Sequence, residues 1–85
     1  MKYTVILERS AEKSFQSLDR PLKLRILHQI EALADNPRPP GVKKLKGQHE
    51  YWRVRVGNYR IIYHIHDMEV IVLILKIGHR REVYR

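Results

Sequence analysis

Cysteine is absent from the chain, and that absence removes a disulfide framework, a thiolate-held zinc site and a cysteine nucleophile together. Long apolar runs are absent too: the longest, Val70 to Leu75, is far too short to span a bilayer. The apolar part of Met1–Glu8 is too brief for a signal peptide, and no small-residue cleavage site follows it. These features give the expectation of a cytoplasmic protein with no membrane partner. Acidic residues are scarce, nine against seventeen Lys and Arg, leaving a formal charge of +8 on 85 residues. So strong a positive field on so small a body points to a polyanionic partner. What is present is enough for a core: 44% hydrophobic and 31% charged residues describe one folded domain, residues 1–85, with no room for a second.

The positive charge is segregated. Residues 1–37 are nearly balanced, whereas residues 38–60 carry Arg38, Lys43, Lys44, Lys46, Arg53, Arg55 and Arg60 against Glu50 alone. Residues 61–75 hold Asp67 and Glu69 with no Lys or Arg, and the last ten residues are basic again. A charge that served only solubility would not need this arrangement.

Hydrophobic spacing gives the element order. Tyr3–Leu7 is β-branched and apolar, a short strand. Ser10 is the expected cap of a first helix in which Ala11, Phe15 and Leu18 recur at helical spacing. Asp19-Arg20-Pro21 ends it and starts a second helix, since proline is tolerated only in a first turn. Leu22, Ile26, Ile30 and Leu33 line one face of that helix, with Leu27 and Ala34 widening the stripe, until Asn36-Pro37. Residues 37–49, with three prolines and two glycines, read as a surface loop. Three strands follow, Tyr51–Val56, Tyr59–His66 and about Val70–Ile77, joined at Gly57-Asn58 and near Asp67-Met68. The expected fold is α+β, in the order β-α-α-β-β-β, with a helical hairpin packed on a mainly antiparallel four-stranded sheet.

A two-residue turn at Gly57-Asn58 sets Val56 opposite Tyr59 and Arg55 opposite Arg60. Alternation then places Arg53, Arg55 and Arg60 on one face, and Trp52, Val54, Val56, Tyr59, Ile61 and Tyr63 on the core face. Like charges across a strand pair weaken a sheet unless an anion bridges them, and paired guanidinium donors suit phosphate. On this reading Arg60→Ala relieves repulsion and leaves the fold intact. The alternative is a solvated face whose arginines splay into water. Gly78 is expected to turn the tail back over the sheet, bringing Arg80 and Tyr84 toward the arginines, with His79 a nearby acid or base. His64 and His66, two apart on a strand, lack a third ligand of suitable spacing, so no metal is expected. The Ser and Asp residues sit at caps and turns, which leaves a Ser-His-Asp triad without support.

The runs Trp52-Arg53-Val54-Arg55-Val56-Gly57-Asn58-Tyr59-Arg60-Ile61-Ile62-Tyr63 and Ile77-Gly78-His79-Arg80-Arg81-Glu82-Val83-Tyr84 together resemble the RelE branch of the RelE/ParE toxin superfamily. Leu45-Lys46-Gly47 and Asn36-Pro37 agree with it. The resemblance implies the toxin of a type II toxin–antitoxin pair: an endoribonuclease that cuts mRNA in the A site of the 70S ribosome and is neutralised by a cognate RelB-like antitoxin. It implies cleavage without metal or other cofactor, the 2′-hydroxyl attacking the adjacent phosphate to leave a 2′,3′-cyclic phosphate and a 5′-hydroxyl. Carried over by position, the family's two strand lysines fall on Arg53 and Arg55, its strand arginine on Arg60, its post-strand arginine on Arg80 and its C-terminal tyrosine on Tyr84. The lysine-to-arginine departures matter, because an arginine does not deprotonate and so orients and stabilises charge without acting as base. Lys43, Lys44, Lys46, His79 and Arg81 are expected to extend the RNA-binding surface. Two further readings share the fold or the charge: a gyrase-directed toxin of the ParE type, and an RNA-binding module without chemistry. The antitoxin is expected to be an acidic amphipathic helix or extended segment that covers apolar residues such as Ile71, Leu73 and Leu75.

Overall fold

The computed structural model describes residues 2–45 and 51–79. In chain order it contains β1 (Thr4–Leu7), α1 (Arg9–Gln16), α2 (Arg20–Asp35), β2 (Lys43–Lys44), β3 (Tyr51–Val56), β4 (Tyr59–His66) and β5 (Ile71–His79). The strands form one sheet in the order β1-β5-β4-β3-β2. All pairings are antiparallel except β1 with β5, where Thr4 stands beside Ile71 and Leu7 beside Ile74. The α+β architecture is therefore as expected, with five strands where the sequence suggested four. The extra strand is only Lys43–Lys44, paired with Arg53 and Trp52 at the edge of the sheet. Two residues carry too little pattern to distinguish a strand from the proline-rich loop before them.

Burial of apolar stripes explains the layering. Ala11 of α1 and Ile26, Ile30 and Leu33 of α2 close over Val54, Ile61, Tyr63, Val72 and Ile74 of the sheet, and neither helix covers its other face. α1 begins earlier than expected: Glu8 is its cap, and its amide still bonds the Ile74 carbonyl (2.9 Å), so the chain leaves the sheet there. Ser10 lies inside the first turn, its hydroxyl donating to the Leu75 carbonyl at 3.3 Å. α2 starts as the sequence indicates, with Asp19 at the cap and Pro21 in the first turn. Leu27, expected to widen the buried stripe, is 38% exposed because no further layer covers the outer side of α2.

β5 departs most from the expected pattern. Ile62 pairs with Lys76 but Tyr63 pairs with Ile74, so Leu75 is an extra residue in a β-bulge. The bulge turns Ile77 to the core beside Ile61 although Ile74 is already there. β5 also continues through Gly78, which pairs with Arg60, to His79. The expected turn at Gly78 is thus replaced by extended strand.

The proline loop is tied down where it begins. The buried Tyr63 hydroxyl donates to the Pro37 carbonyl at 2.7 Å, and burial pushes this phenol well above its usual pKa. Arg38 grips the Asp67 carboxylate with two nitrogens (2.9 and 3.3 Å), while the Tyr3 hydroxyl donates to the same carboxylate at 2.8 Å. These donors, Arg38 first, hold the Asp67 carboxyl below its ordinary range. The Arg38 guanidinium carbon also lies 5.3 Å from the centre of the Trp52 ring. Trp52 is on the core side as expected, at the partly exposed rim of the core.

Val70, in the turn before β5, has φ +58°. Its amide bonds the Asp67 carbonyl (3.2 Å) and its carbonyl accepts from Thr4 (2.9 Å), so neighbours on both sides hold a β-branched residue in the left-handed region. That conformation costs about 1–2 kcal/mol for a residue with a Cβ, against about 0.5–1 kcal/mol of extra chain entropy lost by glycine. Val70→Gly should therefore raise stability by roughly 0.5–1 kcal/mol in urea unfolding. A loss of stability would show that Val70 packing outweighs the strain.

Candidate nucleic-acid interface

The open sheet face is built by the β3–β4 hairpin. Its turn needs Gly57, which takes φ +60° at the first turn position as a primed hairpin turn requires. A Cβ there would also stand 3.3 Å from an Arg25 guanidinium nitrogen reaching across from α2. The resulting register sets Val56 opposite Tyr59 and Arg55 opposite Arg60, as the sequence indicates. Arg53, Arg55 and Arg60 share the open face, with Tyr51, Ile62, His64 and His66 along the same rows.

The three arginines are not equivalent. Arg55 is exposed, whereas Arg53, partly buried, and Arg60, 3% exposed, are both engaged by other groups of the chain. Gly78, directly across from Arg60, has no side chain and is itself buried. The expectation that Arg60→Ala leaves the fold intact changes accordingly. Truncation removes a buried, partnered cation and should cost about 1–3 kcal/mol. Arg55→Ala, on an exposed site opposite a like charge, should be neutral within about 0.5 kcal/mol. Paired thermal melts test both, and an unchanged Arg60→Ala would return that side chain to a purely ligand-binding role.

The lysines of β2 are divided between faces. Lys43, opposite Arg53, joins the arginine face. Lys44, opposite Trp52, turns to the helix side, its ammonium 6.0 Å from the Trp52 ring centre. His79 also departs from expectation: opposite Tyr59 and edge-on to its ring at 5.6 Å, it belongs to the helix side and does not join the arginines. Extension of β5 past Gly78 causes this, since alternation sends residue 78 to the open face and residue 79 away from it. Lys46, Arg80, Arg81 and Tyr84 lie outside the described residues.

Beside the arginines is a concavity of about 400 Å³ lined by Glu8, Ser10, Leu45, Tyr51, Ile62, Leu75 and Lys76. Ile62, Leu75 and Leu45 give it an apolar lining, while Glu8 and Lys76 add one charge of each sign. A planar base fits such a lining while arginines hold the adjoining phosphates. Sequence reading missed this feature because the Leu75 bulge, which the continuous apolar run conceals, helps form it. Among the described residues no group of three or more His, Asp or Glu gathers as a metal site. Nor is any described helix long and apolar enough to cross a membrane.

Comparison with known proteins places this geometry in context. Residues 5–84 match the family described as ParE toxin of type II toxin-antitoxin system, parDE. The chain is 32% identical to the protein named "Putative toxin RelE1" of Methanocaldococcus jannaschii, covering 100% of this chain and 98% of that one. The chain belongs to the RelE/ParE superfamily of type II toxins. The archaeal RelE-RelB complex from Pyrococcus horikoshii superposes on the toxin with a TM-score of 0.83 at 31% identity, over 96% of this chain and 99% of that one. The intact Escherichia coli RelBE complex gives 0.80 at 20% identity, a likeness of fold. Both helices and the mostly antiparallel five-stranded sheet of the toxin match RelE structures. Its arginine face and concavity lie on the side of that sheet which α1 and α2 leave open.

Proposed function

We propose that this toxin is a ribosome-dependent endoribonuclease that cleaves mRNA in the A site and is held inactive by a RelB-like antitoxin. The observation that carries the reading is the arginine face of the β3–β4 hairpin in a RelE-type toxin, where Arg53 stands opposite Ile62 of the concavity and Arg55 follows it along the same face. Its substrate is mRNA on the 70S ribosome, and its setting is the cytoplasm. The 2′-oxygen attacks phosphorus, the bond to the 5′-oxygen breaks, and a 2′,3′-cyclic phosphate and a 5′-hydroxyl result. Negative charge grows on the phosphoryl oxygens in that step, and fixed guanidinium donors stabilise it more than the ground state. Arg53 and Arg55 fill this role. Arg60 supports the face from within the sheet. Arg80 and Tyr84 complete the site through the scissile phosphate and a stacked base, as the family resemblance implies. No metal or cofactor takes part.

The antitoxin reading rests on the relatives solved as RelE-RelB complexes and on the charge of +8. Ile6, 45% exposed, stands beside Leu73 on the open side and offers apolar area for a partner to cover.

The family match described as a ParE toxin keeps a second reading in play, inhibition of DNA gyrase on the same fold. One experiment separates the two. After brief expression, mRNA 5′ ends are mapped by primer extension while purified toxin is assayed for inhibition of gyrase supercoiling. New in-frame mRNA ends with supercoiling intact support the nuclease, and the reverse result supports the gyrase inhibitor.

A further inference from the structure

Transphosphorylation needs a group to take the 2′-hydroxyl proton, and the strand arginines do not deprotonate. His79 lies on the other face of the sheet. The open face itself carries two imidazoles in mutual contact: His64 Nδ1 and His66 Nε2 are 3.0 Å apart, with ring centres 4.3 Å apart. His66 presents its other nitrogen, Nδ1, to Glu69 Oε2 at 3.9 Å. From β3 the Tyr51 ring meets His64 edge-on at 6.0 Å, and Tyr51 also lines the concavity.

The charge of Glu69, 3.9 Å from His66 Nδ1, favours one pair of tautomers. A carboxylate favours the proton on the histidine nitrogen facing it, so Glu69 draws it to Nδ1 of His66. Neutral His66 then offers the lone pair of Nε2, and His64 must donate its Nδ1 proton to that lone pair. His64 is left with a lone pair on Nε2, which makes no hydrogen bond among the described residues. In this pair of tautomers His64 Nε2 is the nitrogen left to accept a proton.

Placement agrees with the chemistry. Tyr51 pairs with His64 and Arg53 pairs with Ile62, so Arg53 and His64 are diagonal neighbours on one face, about 7–8 Å apart at the backbone. That span lets a guanidinium hold a phosphoryl oxygen while an imidazole reaches the neighbouring ribose. The other groups facing the pair are Leu73 and Ile71 of β5, opposite His64 and His66, and Lys76 farther along, opposite Ile62. Asp67 is occupied by Arg38 and Tyr3.

Resting on the nuclease reading, we infer that His64 is the general base of the toxin, with His66 and Glu69 as its positioning residues. The 2′-hydroxyl gives its proton to His64 Nε2 as the 2′-oxygen bonds to phosphorus. The bond from phosphorus to the 5′-oxygen breaks, the departing 5′-oxygen takes a proton from solvent, and His64 later returns its proton to solvent. No oxidant, reductant or co-reactant is needed.

The test is single-turnover cleavage of mRNA on programmed ribosomes between pH 5.5 and 8.5, for the wild type, His64→Gln and Glu69→Gln. Thermal melting and ribosome binding are measured for each protein. The wild-type rate should rise with pH along a single-proton limb, because a general base acts only in its unprotonated form. His64→Gln should cut the rate about 10²–10⁴-fold with melting and binding retained, and abolish the limb. Glu69→Gln should move the limb and lower the rate less, leaving ribosome affinity unchanged, which a merely structural role for Glu69 does not predict. A His64→Gln rate within a few-fold of wild type overturns the inference while leaving the nuclease reading intact. So does a flat wild-type profile, which decides the matter even if His64→Gln does not fold. Absence of cleavage by the wild type overturns the nuclease reading and the inference with it.

Discussion

Purified toxin should leave free mRNA intact and cut the same message once programmed 70S ribosomes are supplied. The interface is rich in fixed cations and shallow, so it stabilises charge better than it confines a flexible chain. RNA in solution rarely holds its 2′-oxygen in line with the bond to be broken. A partner that imposes that geometry supplies orientation, which alone is worth about 7–11 kcal/mol. Even half of that range corresponds to a rate gain of more than about a hundredfold. The assay is gel analysis of end-labelled message with and without ribosomes, at Mg²⁺ sufficient only to keep the ribosomes assembled. Tyr84→Ala should slow the ribosomal reaction with binding retained, because its proposed place is at the reacting nucleotide. Rapid cutting of naked RNA, or full activity of Tyr84→Ala, contradicts the mechanism.

The second large effect is expected at the exposed arginines. Removing one preorganised donor from a developing oxyanion typically costs about 10²–10³ in rate, so Arg53→Gln and Arg55→Gln should each lose activity on that scale. Arg55→Gln should leave the melting temperature nearly unchanged, since Arg55 is exposed, while Arg53→Gln should cost some stability because Arg53 is partly buried and engaged. Arg53→Lys keeps the charge but loses the fork of donors, and should recover only part of the activity. Arg55→Gln thus contrasts with Arg60→Ala, where activity and stability should fall together. If Arg53→Gln and Arg55→Gln keep full toxicity in cells, the arginine face is a solvated surface.

Much of this arrangement is legible in the sequence because its causes are local. Gly57-Asn58 fixes the hairpin, and the hairpin fixes which side chains oppose which, so Arg55 beside Arg60 follows from a two-residue turn. The α2 stripe of Ile26, Ile30 and Leu33 follows from helical period in the same way. What escaped has causes in tertiary structure. The Leu75 bulge hides in a continuous apolar run whose register is set by β4 and not by its own alternation. The burial of Arg60 is a tertiary effect too: its neighbour across the strand pair, Gly78, comes from eighteen positions along the chain. The contact of His64 with His66 becomes meaningful only when Glu69 and Tyr51 are seen around it, since spacing alone suggested a poor metal site.

The position of β5 also bears on how the toxin is made. In the sheet it lies between β1 and β4, so β1, first out during synthesis, pairs with a strand that emerges last among those described. Until Ile71–Ile74 are available, Thr4–Leu7 has no strand beside it, and the α1–α2 hairpin has half a sheet to cover. Contacts so distant in sequence delay folding. In pulse-labelled hydrogen exchange, amides of β3 and β4 should gain protection first, and those of β1 only together with β5. The β3–β4 hairpin can form early, but the concavity beside it waits for Leu75 and Lys76, so the arginine pair is in place before the hollow it adjoins.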